Sequence, residues 1–250
     1  MQIKKLFIAL GIVLPLHMQG QNFLIKEAPE VIESYVNQFN REDNELYKQD
    51  IPNCGASDFL RKNIPFFECP DKELEKTYYF RWWTYRKHIK KTPDGFVITE
   101  FLPDVPWAGK YNTISCAANH HFYEGRWLRN AEILSDYASF WFSGSGNPRL
   151  YSFGAADAIY NYYLIHNDKM LLADLYPKLK DNFAKWEEEK RDSTGMFWQV
   201  DDRDGMEMSV SGHLSEGGRG YRPTINSYMY GEAVALAKIA SIVDRDIIGR

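Results

Sequence analysis

Tyr151-Ser152-Phe153-Gly154-Ala155-Ala156-Asp157-Ala158 opens the stretch that decides the fold, and no strand signal interrupts it before Lys190. Residues 151–165 read as a helix in which Ala155, Ala156 and Ala158 leave room for a close neighbour. His166-Asn167-Asp168 forms a tight turn. Beyond it Leu172, Leu175, Leu179, Phe183 and Trp186 recur at i, i+3, i+7, i+11 and i+14, the apolar stripe of a second helix. Pro177 is expected to kink or restart that helix at its first turn. Two helices joined by so short a turn make a helical hairpin.

The same signals extend in both directions. Leu74, Tyr78, Trp82, Arg86 and Ile89 recur at helical spacing behind Asp71, a plausible N-cap. Residues 91–114 are broken by Pro93, Gly95, Pro103, Pro106 and Gly109, with Phe96 to Thr99 a short strand candidate. Helices are expected from about Cys116 to at least His121 and from Leu128 to Phe142, followed by the loop Gly144-Ser145-Gly146-Asn147-Pro148. A last helix over Thr224–Val243 lines up Ile225, Met229, Leu236, Ile239, Ala240 and Val243. Toward the N-terminus, Glu30–Asn40 is a short helical candidate, and residues 41–72, with Pro52, Gly55, Pro65 and Pro70, read as irregular. There is no alternation of strands with helices and no literal repeat. Helical hairpins separated by long loops predict an all-α chain built as an α/α toroid, with an irregular helical bundle as the alternative. The expected organisation is a signal peptide over 1–20, an N-terminal lead-in over 21–72, and the toroid over 73–250.

Composition bounds the function. The chain has 250 residues, 44% hydrophobic and 26% charged, an ordinary globular balance. Its net charge of −4 without a basic block gives no footing for a nucleic-acid partner. Aromatics are plentiful, with 7 Trp and 16 Tyr; most belong to packing, and an excess also suits sugar rings. Met1-Gln2-Ile3-Lys4-Lys5, the apolar run Leu6–Leu16 and His17-Met18-Gln19-Gly20-Gln21 together read as a secretory signal. Export to the periplasm or the extracellular space is therefore expected, without stable membrane association, because no other segment is apolar enough to span a bilayer. Cys54 and Cys69 flank a Pro-bearing loop and could pair, leaving Cys116; equally, all three could be small buried hydrophobes. His120 and Glu124 stand at i, i+4 but lack a third ligand, so neither a metal nor a cofactor is expected.

The chemistry concentrates in Asp201-Asp202-Arg203-Asp204-Gly205-Met206-Glu207-Met208-Ser209, which follows Phe197-Trp198-Gln199. Several acids around a glycine read as a loop, and acids beside an aromatic platform suit acid/base work on a sugar. A solvated acidic turn is the plain alternative; the spacing does not match an EF-hand calcium loop. Nearby carboxylates and burial would both hold one of these acids protonated.

Asp204 to Ser209 resembles the general-acid motif of trehalase-like glycosidases, a group that includes glycoside hydrolase families 37 and 63 and the mannosylglycerate-hydrolase-like proteins. Pro223-Thr224-Ile225-Asn226-Ser227-Tyr228-Met229-Tyr230 resembles the helix start that follows that motif, in the same order and at a similar separation. Glu124-Gly125-Arg126-Trp127 and Tyr151 to Asp157 resemble its substrate-loop segments more loosely. The resemblance covers about residues 73–243 and implies an (α/α)6 toroid that hydrolyses glycosidic bonds with inversion. It places Glu207 at the general-acid position, where Asp is usual, and makes Asp204 the second candidate. Arg126, Trp127, Trp198, Gln199, Asp202, Arg222, Asn226 and Tyr230 are the candidate carbohydrate-binding residues. Trp127 and Trp198 would stack on sugar rings; Gln199, Asn226 and Arg126 would bond hydroxyls; Arg222 would meet a substrate carboxylate or pair with Asp202.

Inversion needs a second carboxylate, about 6.5–9.5 Å from the acid, to activate water. In the resembled family it lies far downstream. Only about six convincing helices are legible here, half of what six hairpins require. The toroid is thus expected to be incomplete at its C-terminus, a truncated chain lacking its base; otherwise Glu100, Glu124, Asp157, Glu216 or Glu232 would substitute. Two other functions fit the residues. One is a carbohydrate-binding toroid without catalysis. The other is a toroid polysaccharide lyase that would draft Arg222 with Tyr221 or His213.

Overall fold

The computed structural model describes residues 28–205 and 218–248. Eight helices appear among them: α1 (Ala28–Glu42), α2 (Ala56–Asn63), α3 (Lys72–Lys87), α4 (Ser115–Gly125), α5 (Glu132–Phe142), α6 (Ala155–His166), α7 (Lys169–Lys190) and α8 (Pro223–Ile248). Two small antiparallel pairs complete the described structure. β1 (Ile89–Thr92) and β2 (Gly95–Ile98) form a hairpin with Ile89 opposite Ile98, and β3 (Trp198–Gln199) pairs with β4 (Gly220–Tyr221).

The hairpin of α6 and α7 forms as its turn residues dictate. Asn167 takes the left-handed conformation that ends α6, and the Asp168 side chain accepts from the Leu171 amide to cap α7. Pro177 does not restart the second helix: α7 runs through it from Lys169 to Lys190. Leu172, Leu175, Leu179 and Trp186 are all buried along one side, and that burial outweighs the cost of a helical proline, about 3 kcal/mol.

Helices alternate between two layers. α4 packs on α6 and α6 on α8, while α7 covers α6 and α8 from behind and α5 joins α7 to the β1–β2 hairpin. Small residues allow the close approach inside the first layer: Ala118, Ala155, Ala156 and Ala158 are buried there. This is the two-layer arrangement of an α/α toroid, and the chain is all-α as the hairpin pattern predicts.

The N-terminal part differs from its expectation of irregular chain over residues 41–72. It contains α2, whose Leu60 is buried with Ile64 beyond it, and α1, α2 and α3 pack on one another. Side chains of α3 hold the rest: Arg86 donates to Ile51 O at 2.5 Å and Gln49 Oε1 at 2.8 Å, and Tyr78 to Pro65 O at 2.6 Å. Asp71 caps α3 as predicted, accepting from the Glu73 and Leu74 amides. The buried face of α3 is turned from the expected one, however, since Leu74 is 54% exposed while Glu75 is buried. Glu75 earns its place by accepting from Tyr35 Oη, Cys69 N and Lys72 Nζ. Smaller boundary shifts follow the same logic. α5 starts at Glu132 rather than Leu128, and Tyr151 to Gly154 is a bend and irregular chain rather than helix.

A second apolar cluster of Trp186, Phe197, Ile225 and Met229 lies where α7, α8 and β3 meet. Replacing its fully buried member, Trp186→Ala, is expected to cost about 3–5 kcal/mol, read as a fall in the urea midpoint, and to loosen β3 with it.

Candidate active site

The chain leaves α7 through a turn at Asp192–Gly195 and returns over the second cluster as β3. Asn226, on the first turns of α8, holds β3 as a strand partner would. Its Nδ2 donates to Phe197 O at 2.8 Å and its Oδ1 accepts from Phe197 N at 2.9 Å. Arg222 is only 1% exposed and ties together the two ends of the loop that follows. It pairs with Asp201 Oδ1 at 2.5 Å, and donates to Gly218 O at 2.9 Å and Gln199 O at 3.4 Å. A buried guanidinium satisfied in this fixed manner fastens the loop ends as a structural tie.

Between those ends the loop turns inward at Asp204, whose residue exposure is 3%. Ser152 Oγ donates to Asp204 Oδ1 at 2.6 Å, and Ser152 N donates to Arg203 O at 2.8 Å. Asp204 Oδ2 is buried and has no hydrogen-bond partner among the described residues. Burial raises the Asp204 pKa, against the opposing pull of the Ser152 hydroxyl. Gly205 follows with φ +65° against Cys116, where an added Cβ would stand 3.3 Å from the Cys116 Cβ. Both the backbone conformation and the space require glycine there.

Beneath Asp204, the inner helices contribute a polar cluster. Tyr228 on α8 faces Asp204 and Cys116, and its pKa is raised by burial first and by Asp204 next. One turn on, Glu232 is 0% exposed, and its Oε1 accepts from the Asp157 amide at 3.1 Å. Burial pushes the Glu232 pKa up to about 8, with nearby Asp157 adding to the shift. Tyr123 of α4 donates to Asp157 Oδ2, and Asn119 of α4 accepts from Gly154 N at 3.1 Å.

The structure sorts the sequence-based site residues unevenly. Glu207, with Met206, Met208, Ser209, His213 and Glu216, lies outside the described residues. Asp202 points outward, its side chain 71% exposed, with Arg203 Nε at 3.9 Å; Arg222 pairs with Asp201 in its place, because Asp201 is the acid that the turn at 201–203 directs inward. Gln199 is buried beside β4, with its Oε1 accepting from Val200 N. Trp198 is half-buried, with Lys190 Nζ 3.9 Å and Arg219 Cζ 3.8 Å from its ring centroid. A cavity of about 620 Å³ opens beside it, with Trp198, Arg219, Gly220 and Tyr221 in its described lining. Tyr230 is 76% exposed.

Arg126 and Trp127 are not brought to this place. They follow the C-terminal end of α4, whereas Ser115, at its start, meets Tyr151; eleven residues of helix separate those ends by about 16 Å. Arg126 donates to Asn161 Oδ1 at 2.6 Å and lies over Trp127. Of the substitute bases, Glu124 pairs with Arg81 at 2.5 Å, Asp157 is held by Tyr123, Glu232 is fully enclosed, and Glu100 is exposed beyond β2. The lyase alternative loses its arginine to Asp201 and its Tyr221 to Asp192. Cys54, Cys69 and Cys116 form no disulfide with one another, and among the described residues no cluster of three or more His, Cys, Asp or Glu could hold a metal.

Sequence reasoning missed Ser152 as the partner of the acidic loop. Glu232 carried a signal that was legible in principle. It falls within the apolar stripe of α8, seven residues after Ile225 and seven before Ile239, where a carboxylate must be enclosed.

An all-α toroid with an acid-bearing loop between α7 and α8 has the build of a glycoside hydrolase. The family model of the mannosylglycerate hydrolase MGH1-like glycoside hydrolase domain matches residues 110–247, more than half of the chain. The chain belongs to that family. Among solved structures, a sialidase superposes with a TM-score of 0.78 and 40% sequence identity, over 86% of this chain and 20% of that one. The chain thus spans a fifth of the length of that sialidase. Comparison with curated proteins gave no significant match.

The Glu232 shift gives a stability prediction. The folded-state pKa, about 8, lies above the ordinary 4.5, so the folded state holds this proton where the unfolded chain has released it. Stability attributable to Glu232 therefore falls as pH rises through that interval. Glu232→Gln is expected to flatten the fall, measured as urea midpoints of the two proteins at steps across the same interval.

Proposed function

We propose that this chain is part of an exported, inverting glycosidase that cleaves an α-linked glycan or oligosaccharide, with Glu207 as the general acid and Asp204 as the second candidate for that role. The observation that carries the reading is the anchoring of Asp204 on Ser152, above the polar cluster of α4, α6 and α8. Glu207 follows three residues later in sequence, outside the described residues; the described chain before it is fastened at Asp204 by Ser152 and at Asp201 by Arg222. An acid working near neutral pH must keep its proton, and this is an enclosed, acid-rich setting of the kind that raises a carboxyl pKa. In this reading the water-activating base lies outside the described residues, since Glu124 and Asp157 are engaged and Glu232 reaches no water. Export rests on the Met1–Gln21 segment, also outside the described residues. No described helix is long and apolar enough to cross a membrane.

The whole glycosidase of which this chain is proposed to be part is expected to release reducing sugar from α-linked oligosaccharides without the ultraviolet absorbance of an unsaturated uronate. Glu207→Gln is expected to lower kcat about 10²–10⁴-fold with its melting temperature unchanged. Full activity in that variant, together with loss in Asp204→Asn, would move the acid to Asp204. Binding without hydrolysis by the wild-type chain would return the reading to a carbohydrate-binding toroid.

A further inference from the structure

A helix that starts in the interior needs acceptors for its first amides, and α6 has no side chain of its own to supply them. Its N-cap is Gly154, which makes no side-chain cap. Neighbouring helices provide the acceptors. Asn119 Oδ1 from α4 takes the Gly154 amide, and Glu232 Oε1 from α8 takes the Asp157 amide, with Ala156 N also directed at the Glu232 carboxyl. The four residues before α6 are all buried, and none is helical or paired in a strand. Tyr151 N donates to Ser115 Oγ, Ser152 N to Arg203 O, and Ser152 Oγ to Asp204 Oδ1. A continuous path thus runs from Glu232 through the first turn of α6 and residues 151–154 to the acidic loop.

We propose that Glu232 is a positioning residue: by capping α6 from α8 it fixes residues 151–154, and through Ser152 it sets the place of the acid-bearing segment that begins at Asp204. Its carboxyl is fully buried with no cation beside it among the described residues, a cost that a position needing only to fill space would shed by becoming apolar. The titratable groups facing it are Asp157 on α6 and Tyr123 on α4, with Tyr228 one turn earlier on α8 itself. Glu232 touches no substrate in this arrangement, being fully enclosed. The inference rests on the placement of the general acid in the 204–207 segment.

The test compares Glu232→Leu, which fills the volume but cannot cap, with Glu232→Gln, which keeps the acceptor oxygen. Native-state hydrogen exchange on the full chain reads the coupling directly. In Glu232→Leu the Asp157 and Ser152 amides are expected to exchange faster by about tenfold or more, while Leu172 and Leu175 amides are unchanged; Glu232→Gln restores both. On a glycoside that the wild type cleaves, Glu232→Leu is expected to lose kcat about tenfold with little change in KM, and Glu232→Gln to recover it. Faster exchange at Asp157 with Ser152 unaltered would overturn the proposal, as would wild-type kcat in Glu232→Leu. Should Glu232→Leu not fold, Asn119→Ala loads the same path from the other side. Slower α6 capping there must again reach Ser152, and an unchanged Ser152 amide overturns the path. If the wild type cleaves no glycoside, the functional reading fails, while the exchange result still decides the coupling.

Discussion

Four buried residues outside any helix or strand, Tyr151 to Gly154, impose the constraint on which the site depends. Backbone amides taken out of water must find acceptors, and here the acceptors come from other parts of the chain. Ser115 and Asn119 come from α4, and Arg203 from the loop after β3. This arrangement ties the inner layer of helices to the one loop that carries several acids. Were residues 151–154 helical, as the alanine-rich pattern suggests, α6 would begin a turn earlier. The Ser152 side chain and amide would then have no common partner in the acidic loop.

Charge is divided between two sorts of burial. Arg222 and Asp201 are opposite charges at hydrogen-bond distance, and their pairing holds the ends of the loop. Asp204 and Glu232 are buried, and both are driven toward the protonated form by burial, in Asp204 against the opposing pull of Ser152, Thr224 and Arg222. The first sort suits a fastener, because opposite charges in contact offset each other's burial. The second suits proton chemistry or polar capping in a low-dielectric setting, because a neutral carboxyl is what such a place tolerates. An acidic stretch that looks uniform in sequence is therefore resolved into a fastened acid, Asp201, a solvent-facing acid, Asp202, and an enclosed acid, Asp204.

The fold was legible where one physical cause dominated. The Leu172–Trp186 stripe, the Asn167-Asp168 turn and the Asp71 cap each follow from a local rule, and each forms as read. Legibility failed where tertiary partners decide. Leu74 yields the buried face of α3 to Glu75 because Tyr35, Cys69 and Lys72 satisfy that carboxylate, and none of the three contacts is visible from helical spacing. α2 was hidden among prolines and a glycine, and it is held by packing on α1 and α3 rather than by strong propensity. In the site, the loop was legible as a loop, but its anchors lie 52 and 21 residues away in sequence, at Ser152 for Asp204 and at Arg222 for Asp201. Arg126 and Trp127 lie after the C-terminal end of α4, away from the Ser115 end that meets Tyr151.

The aromatic surplus resolves in the same way. Trp82, Trp83, Trp141 and Trp186 are buried, so most of the tryptophan in the chain is core. Trp198, beside the acidic loop, meets Lys190 and Arg219 within 4 Å of its ring centroid. Two cations that close to one ring repel least when they take opposite faces, and the Lys190 pKa is lowered by burial first and by Arg219 among its other influences. Trp198 is thus a covered ring rather than a bare platform, and a sugar stacking on it must first displace a cation. Arg219 stands in the same cavity lining as Tyr221, just before the strand that returns from the loop, so a displaced guanidinium would still border that cavity. Stacking and charge at this wall are therefore coupled: whatever binds there exchanges one cation–aromatic contact for another contact to the same two groups.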